Sequence, residues 1–252
     1  MTRARNPLRV FPSAVPAVRR FAALGLLASA LAGCAWGPSI APQSTPLAAP
    51  AMAVQAPPPL TVGERFTYTE INGFNRLPRA TVVREVVATG AETRIATRTQ
   101  EGKPIDLARL AGGILREGML NDRAYGPLEP GLELRPFPLA AGQTWHQVTR
   151  RADPIWKENR PVRVDGVVRG WETIKVPAGE FKALKIERRM YLGDWDPFRR
   201  QTERFEEEWY SPELGVPVRF SAREWYQENT SRFPARLLPG DWFVQELTGI
   251  SR

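Results

Sequence analysis

The chain is poor in the residues that most chemistry needs. Among 252 residues there is one cysteine, Cys34, and one histidine, His146. A single cysteine excludes an intrachain disulfide framework and any cysteine metal cluster. A single histidine excludes metal sites built on two imidazoles. No G-x-S-x-G elbow, no phosphate-cradling glycine loop and no dinucleotide fingerprint occurs. The most apolar stretch, Phe21 to Ala32, is 12 residues long, whereas a membrane-spanning helix needs about 20. Acidic residues are absent until Glu64.

That acid-free beginning has an order of its own. Arg3, Arg5, Arg9, Arg19 and Arg20 form a basic leader, and the run Phe21 to Ala32 follows it. Basic leader, short apolar run and small-residue break are the layout of an export signal, here expected over residues 1–33. The break reads Leu31-Ala32-Gly33-Cys34. This resembles the lipobox of bacterial lipoproteins: leucine, a small residue, glycine or alanine, then cysteine. The resemblance implies that the Cys34 thiol takes a diacylglycerol, that the signal is removed before it, and that the new amino terminus is acylated. Each buried methylene contributes about 0.8 kcal/mol and one chain anchors only marginally, so several chains on one residue are needed to hold a domain at a membrane. Ala35 stands where an aspartate favours inner-membrane retention in this family. The resemblance therefore implies the periplasmic face of the outer membrane.

Residues 34–59 carry Pro38, Pro42, Pro46, Pro50 and Pro57 to Pro59 and no charge. Such a stretch is expected as an extended spacer outside the fold, spanning up to roughly 80 Å at about 3.1 Å per residue. The formal net charge is +8, from 35 basic and 27 acidic residues. Removing the five leader arginines leaves 30 against 27, or +3. That weak excess gives no reason to expect nucleic-acid binding.

From Leu60 to Arg252 apolar and polar residues alternate. Leu184, Ile186 and Met190 share a face with Arg188, while Lys185, Glu187 and Arg189 share the other. Period-two alternation of this kind predicts antiparallel strands. "VPAGE" at Val176–Glu180, "GDWDP" at Gly193–Pro197 and "SPELG" at Ser211–Gly215 supply turn chemistry. One segment, Pro104 to Ala111, reads as a short helix stopped by Gly112-Gly113. The expected fold is all-β, a strongly curved antiparallel sheet closing towards a barrel, half-barrel or sandwich, with at most one or two short helices. "PPPLTVGERF" at 57–66 and "PFPLAAGQTW" at 136–145 share P-x-P-L-x-x-G-x-x-aromatic, and "VVATGAET" at 86–93 is followed by a similar "VVRGWET" at 167–173. Two duplicated meanders, in halves 60–135 and 136–252, are consistent with this.

Candidates for chemistry are few. His146 has no second histidine and is expected as a surface or packing residue. Glu206 to Glu208, and Asp194 with Asp196, raise the two-carboxylate arrangement of glycoside hydrolysis. The surrounding Arg199, Arg200 and Arg204 favour a solvated, ion-paired strand face instead. Neither a metal nor a cofactor is expected. Seven of the eight tryptophans lie between Trp145 and Trp242. Trp171, Trp209 and Trp225 are the candidates to face a ligand, since indole rings stack on sugars and line apolar pockets. The same rings, with Phe181 and Phe220, also suit an ordinary β core.

Val176-Pro177-Ala178-Gly179-x-Phe181, the strand residues Ala183 to Ile186, and Trp209-Tyr210-x-Pro212-x-x-Gly215 leading into Val216-Pro217-Val218-Arg219 form the most distinctive pattern. It resembles uncharacterised bacterial envelope proteins carrying an antiparallel β domain, over roughly Trp145 to Trp225, with Ser211 where alanine is common. The resemblance implies fold and compartment and brings no catalytic residues. The expectation is a membrane-anchored, non-enzymatic binding or structural lipoprotein. A lipid carrier with an apolar cavity, and a protein that binds or hydrolyses envelope glycans, are the alternatives. A lipid, a glycan or an envelope protein is the partner each implies.

Overall fold

The structure, a computed structural model, describes residues 40–48, 53–152, 158–193, 198–229 and 236–252. These form β1 (Gln43–Leu47), β2 (Arg65–Asn72), β3 (Pro78–Ala88), β4 (Thr93–Thr99), β5 (Pro104–Ala111), β6 (Ile114–Met119), β7 (Ala124–Tyr125), β8 (Leu128–Glu129), β9 (Leu132–Glu133), β10 (Thr144–Ala152), β11 (Asn159–Val176), β12 (Gly179–Tyr191), β13 (Arg199–Ser211), β14 (Val216–Glu228) and β15 (Leu237–Ser251). The described residues include no helix. Cys34 and its lipobox, Trp36, Trp156, Asp194, Trp195 and Asp196 lie outside them.

All pairings are antiparallel. The strands run β7-β6-β5-β4-β3-β2-β15-β14-β13-β12-β11-β10-β8, so the last long strand pairs with the first. β9 adds to β6 and β8 to β10, which brings the two ends together in a nearly closed barrel. Right-handed twist accumulated over this many strands curls a sheet in this way, and bulges sharpen the bend. Such irregularities interrupt the long strands, for example between Val168 and Gly170 and between Arg223 and Trp225. The turn expected at Ser211–Gly215 joins β13 to β14, closed by a Gly215 N–H bond to the Ser211 carbonyl, with Gly215 at φ 73°.

The helix expected at Pro104–Ala111 is β5 instead. Its residues alternate, with Ile105 and Leu107 exposed and Ala108 and Leu110 buried. Eight residues fit either period, and pairing on both sides with β4 and β6 decides for the strand.

The repeated motif has one geometry in both copies. Gly63 and Gly142 take positive φ, and their N–H groups donate to the carbonyls of Val86 and Val168. Phe66 then pairs with Arg84 and Trp145 with Gly166, two residues before those valines in each case. A register shift follows immediately after both valines. β2–β3–β4 and β10–β11–β12 are thus equivalent meanders, matched one residue further along than the sequence alignment of 86–93 with 167–173 gives. They are arcs of one sheet.

Part of the stretch expected as a free spacer belongs to the barrel. β1 pairs with the lower half of β11, Gln43 opposite Lys175 and Leu47 opposite Trp171. Val54 forms a two-way backbone bridge with Leu139. Pro58 and Leu60 pack on Gly215 in the β13–β14 turn. Pro46 is tolerated because β1 is an edge strand, where a missing N–H costs no ladder bond.

Candidate functional site

The barrel interior is filled by a network of charges. On β12, Arg188 extends inward among Leu184, Ile186 and Met190 and is wholly buried. Its Nε donates to Glu206 at 2.7 Å, its Nη2 to Glu208 at 2.6 Å and its Nη1 to the Leu134 carbonyl at 3.0 Å. Arg135 donates to the second oxygen of Glu208 at 2.5 Å. Arg204 bonds Glu206 at 2.6 Å and Glu224 at 2.8 Å, and grips Asp122 with two nitrogens. Burial alone pushes the Glu208 carboxyl up; the guanidinium groups of Arg135 and Arg188 outweigh it and hold the group below the usual carboxylate range. The expectation of a solvated Glu206–Glu208 face is corrected here. Only Glu207 points outward, towards Lys185 at 2.9 Å. Glu206 and Glu208 point inward, where short loop strands between β6 and β10 bring Asp122 and Arg135 down as partners.

Above this network, Arg84 donates to Gln245 at 2.5 Å and lies 4.3 Å from the Tyr68 ring centre. Apolar clusters fill the rest, one around Leu115, Leu132 and Val162 and another around Phe66, Val86 and Leu247. The space beside Arg204 holds about 20 Å³ and that between Leu60 and Arg135 about 60 Å³. Pockets for small organic ligands hold about 300–1,000 Å³. Neither of these two spaces is large enough for a lipid chain.

The tryptophans singled out by sequence fall in three different places. Trp209 lies on the Glu207 side of β13, opposite Lys185 and Arg219, and is fully buried in the cluster that holds Ile174, Ala183 and Val218. Lys185 and Arg219 lie over its ring at 5.1 and 5.0 Å, and its Nε1 donates to Glu172 at 2.6 Å. Arg219 also bonds the Ile40 carbonyl, so the chain just before β1 caps this stack. Trp209 is structural and out of a ligand's reach. Trp171 is partly buried against Leu139, Val168 and Tyr210 beneath β1. Phe220 is inside the barrel.

Trp225 is different. It lines an open concavity of about 500 Å³ on the outer face of β11–β14. Val167 and Phe205 contribute the other apolar surface. Around them stand Arg169 bonded to Glu187 at 2.7 Å, Arg189 bonded to Glu203 at 2.8 Å, and Asp165. The Arg169 and Arg189 side chains are 58% and 56% exposed. The Glu203 carboxylate raises the Arg189 guanidinium above its ordinary value. His146 sits at the edge of this saddle on β10, exposed, with Nδ1 2.6 Å from Asp165. No group of three or more metal-ligating side chains forms among the described residues.

Sequence reasoning missed Arg135, Asp122 and Glu224 as partners, because each comes from a different strand or loop. A signal was present in Arg188, a charge interrupting an apolar face, which requires a buried counter-charge.

No family model matches the chain, and no curated protein matches it in sequence. The chain is similar to several solved structures, among them the following three. A candidate lipoprotein of Parabacteroides distasonis is 12% identical, with TM-score 0.44, over 77% of this chain and 97% of its own. A candidate exported protein of Bacteroides fragilis with a YmcC-like fold is 16% identical, with TM-score 0.45, over 80% and 100%. The hypothetical lipoprotein YmcC of Escherichia coli is 6% identical, with TM-score 0.42, over 75% and 85%. Similarity of this degree assigns neither family nor role to this chain.

Proposed function

We propose that this chain is a lipid-anchored envelope protein, held through Cys34 at the periplasmic face of the outer membrane, whose barrel works by binding on its outside. The Leu31-Ala32-Gly33-Cys34 motif behind a basic leader supports the anchor, and Ala35 supports the outer membrane. The single observation that carries outside binding is the contrast between an interior occupied by a charge network and apolar clusters, with spaces of about 20 and 60 Å³ beside them, and an outer saddle of about 500 Å³.

The same observation counts against both alternatives that need an inner site. The spaces of about 20 and 60 Å³ are too small for a lipid chain. A glycan hydrolase needs one carboxylate free to give a proton and another to attack or activate water, whereas Glu206 and Glu208 are each held by two arginines. Both points support reading the barrel as a non-enzymatic binding module.

Metabolic labelling with a clickable fatty acid tests the anchor. The wild type is expected to take label and fractionate with outer membranes, and Cys34→Ser to take none and remain as precursor or soluble protein. Equal labelling of the variant would end the lipoprotein reading. Native mass spectrometry of the released protein tests outside binding. A bare mass is expected, and a stoichiometric lipid surviving transfer would return the carrier.

A further inference from the structure

The saddle does not end at Trp225. Phe205 on β13 stands directly opposite Arg223 on β14, which stands opposite Trp242 on β15. Arg223 lies between two indoles, 4.9 Å from the Trp225 ring centre and 4.7 Å from that of Trp242. Phe74, just past the end of β2, meets Trp242 edge-on at 5.7 Å and is 54% exposed. Aromatic rings and paired charges thus form one band crossing from β11 to β2. Five inter-strand spacings of about 4.8 Å make it roughly 24 Å long.

We infer that this band binds a neutral, linear saccharide chain laid across the strands. The inference rests on the reading that the barrel binds on its outside, and it adds the ligand class. Three features of the band select that class. Indole and phenyl faces suit the apolar C–H face of a pyranose ring, and they are spaced along the band rather than gathered into one pocket. Guanidinium and carboxylate groups are planar and bidentate, matching the donor and acceptor pairs of neighbouring hydroxyls.

Charge supplies the third feature. Arg169 is matched by Glu187, Arg189 by Glu203 and Arg163 by Asp165. Arg223, held between its two indoles, adds one charge beyond these pairs, and a single excess charge is a weak field for gathering a polyanion. A peptide adding as a strand needs a free sheet edge, and the band is a face whose strands are all paired on both sides.

The test titrates the detergent-solubilised, acylated protein with a glucan hexamer and an N-acetylglucosamine hexamer, read by tryptophan fluorescence and calorimetry. Heparin and anionic phospholipid vesicles are the comparison probes. Binding of at least one neutral hexamer is expected, insensitive to salt between roughly 0.05 and 0.5 M because no ion pairs form with ligand. Trp225→Ala should weaken it roughly tenfold, the scale of one lost aromatic contact. Arg169→Ala, at an exposed position that does not threaten folding, should weaken it several-fold.

Neutral-hexamer binding unchanged in both variants would overturn the assignment to this band. Failure of both hexamers overturns the saccharide class. If heparin or vesicles then bind in a Trp225-dependent, salt-sensitive way, binding on the outside survives and only the class is lost. If no probe responds and lipid co-purifies inside the barrel, the outside-binding reading falls as well.

Discussion

Arg188 on β12 and Glu208 on β13 meet at 2.6 Å with both side chains wholly sealed from water. They are diagonal neighbours across the strand pair, because Arg188 stands opposite Glu206 and Ile186 opposite Glu208. One guanidinium therefore spans both inward carboxylates, and Arg135 and Arg204 close the remaining oxygens. Buried ion pairs add little net stability relative to apolar packing, yet removing one partner strands the other.

Arg188→Met should therefore destabilise the barrel by about 3–5 kcal/mol, the cost of an uncompensated buried charge. Glu207→Gln, at the outward neighbour, should cost less than about 1 kcal/mol. Urea denaturation of both variants checks the contrast. Equal midpoints would mean that the inward pairing does not hold the fold.

Acid should unfold the protein through the same network. The folded-state pKa of Glu208 is depressed, burial being outweighed by Arg135 and Arg188. A depressed carboxylate contributes stability that is fully present above its unfolded value of about 4.3 and is lost as pH falls through the lower folded value. Urea midpoints should hold from pH 7 to about 5 and drop below about 4. Tyr210, raised by burial to about 12, acts at the other end. Its contribution is intact below about pH 10 and disappears as pH rises through about 12. A midpoint that is flat down to pH 2 would contradict the arrangement.

Gly215→Val should lower the melting temperature. The residue takes φ 73°, and a Cβ there would lie 3.0 Å from Pro58 Cγ and 3.1 Å from Leu60 Cδ2. A β-branched residue in this region costs about 1–3 kcal/mol. Gly215→Asn, which tolerates left-handed backbone, should cost less. If valine and asparagine melt alike, backbone conformation is not the constraint at the turn.

Hydrogen exchange should separate β1 from the barrel it rests on. β1 is mostly exposed and held along one edge, by β11 alone. β13 is paired on both sides and largely buried along its second half. The amides of 43–47 should exchange orders of magnitude faster than those of 205–210, while staying slower than an unstructured chain. Full protection of 43–47 would make β1 an integral strand, and none would free the whole spacer.

Much of this was legible from residue order, because alternation reads out locally. The faces of β12, the turn at Ser211–Gly215 and the repeated glycine motif all depend on neighbours within one hairpin. Pro104–Ala111 was misread because eight residues carry too few periods to tell a helix from a strand. The inward Glu206 and Glu208 were misread for another reason. Parity placed them on one face together, but which face turned inward depended on the curl of the whole sheet.

By itself, the sequence determined the leader and lipobox pattern, the all-β character, the strand faces and the poverty of catalytic side chains. These are matters of composition and of spacing within a few residues. Tertiary structure alone decided that Asp122 and Glu224 meet Arg204, that Arg135 joins Arg188 on Glu208, and that β1 docks on β11. It also decided that Trp209 is sealed while Trp225 and Trp242 line one outer band. The physical reason is that closing the sheet brings together groups far apart in the chain, and only closure settles which of two alternating faces loses its water.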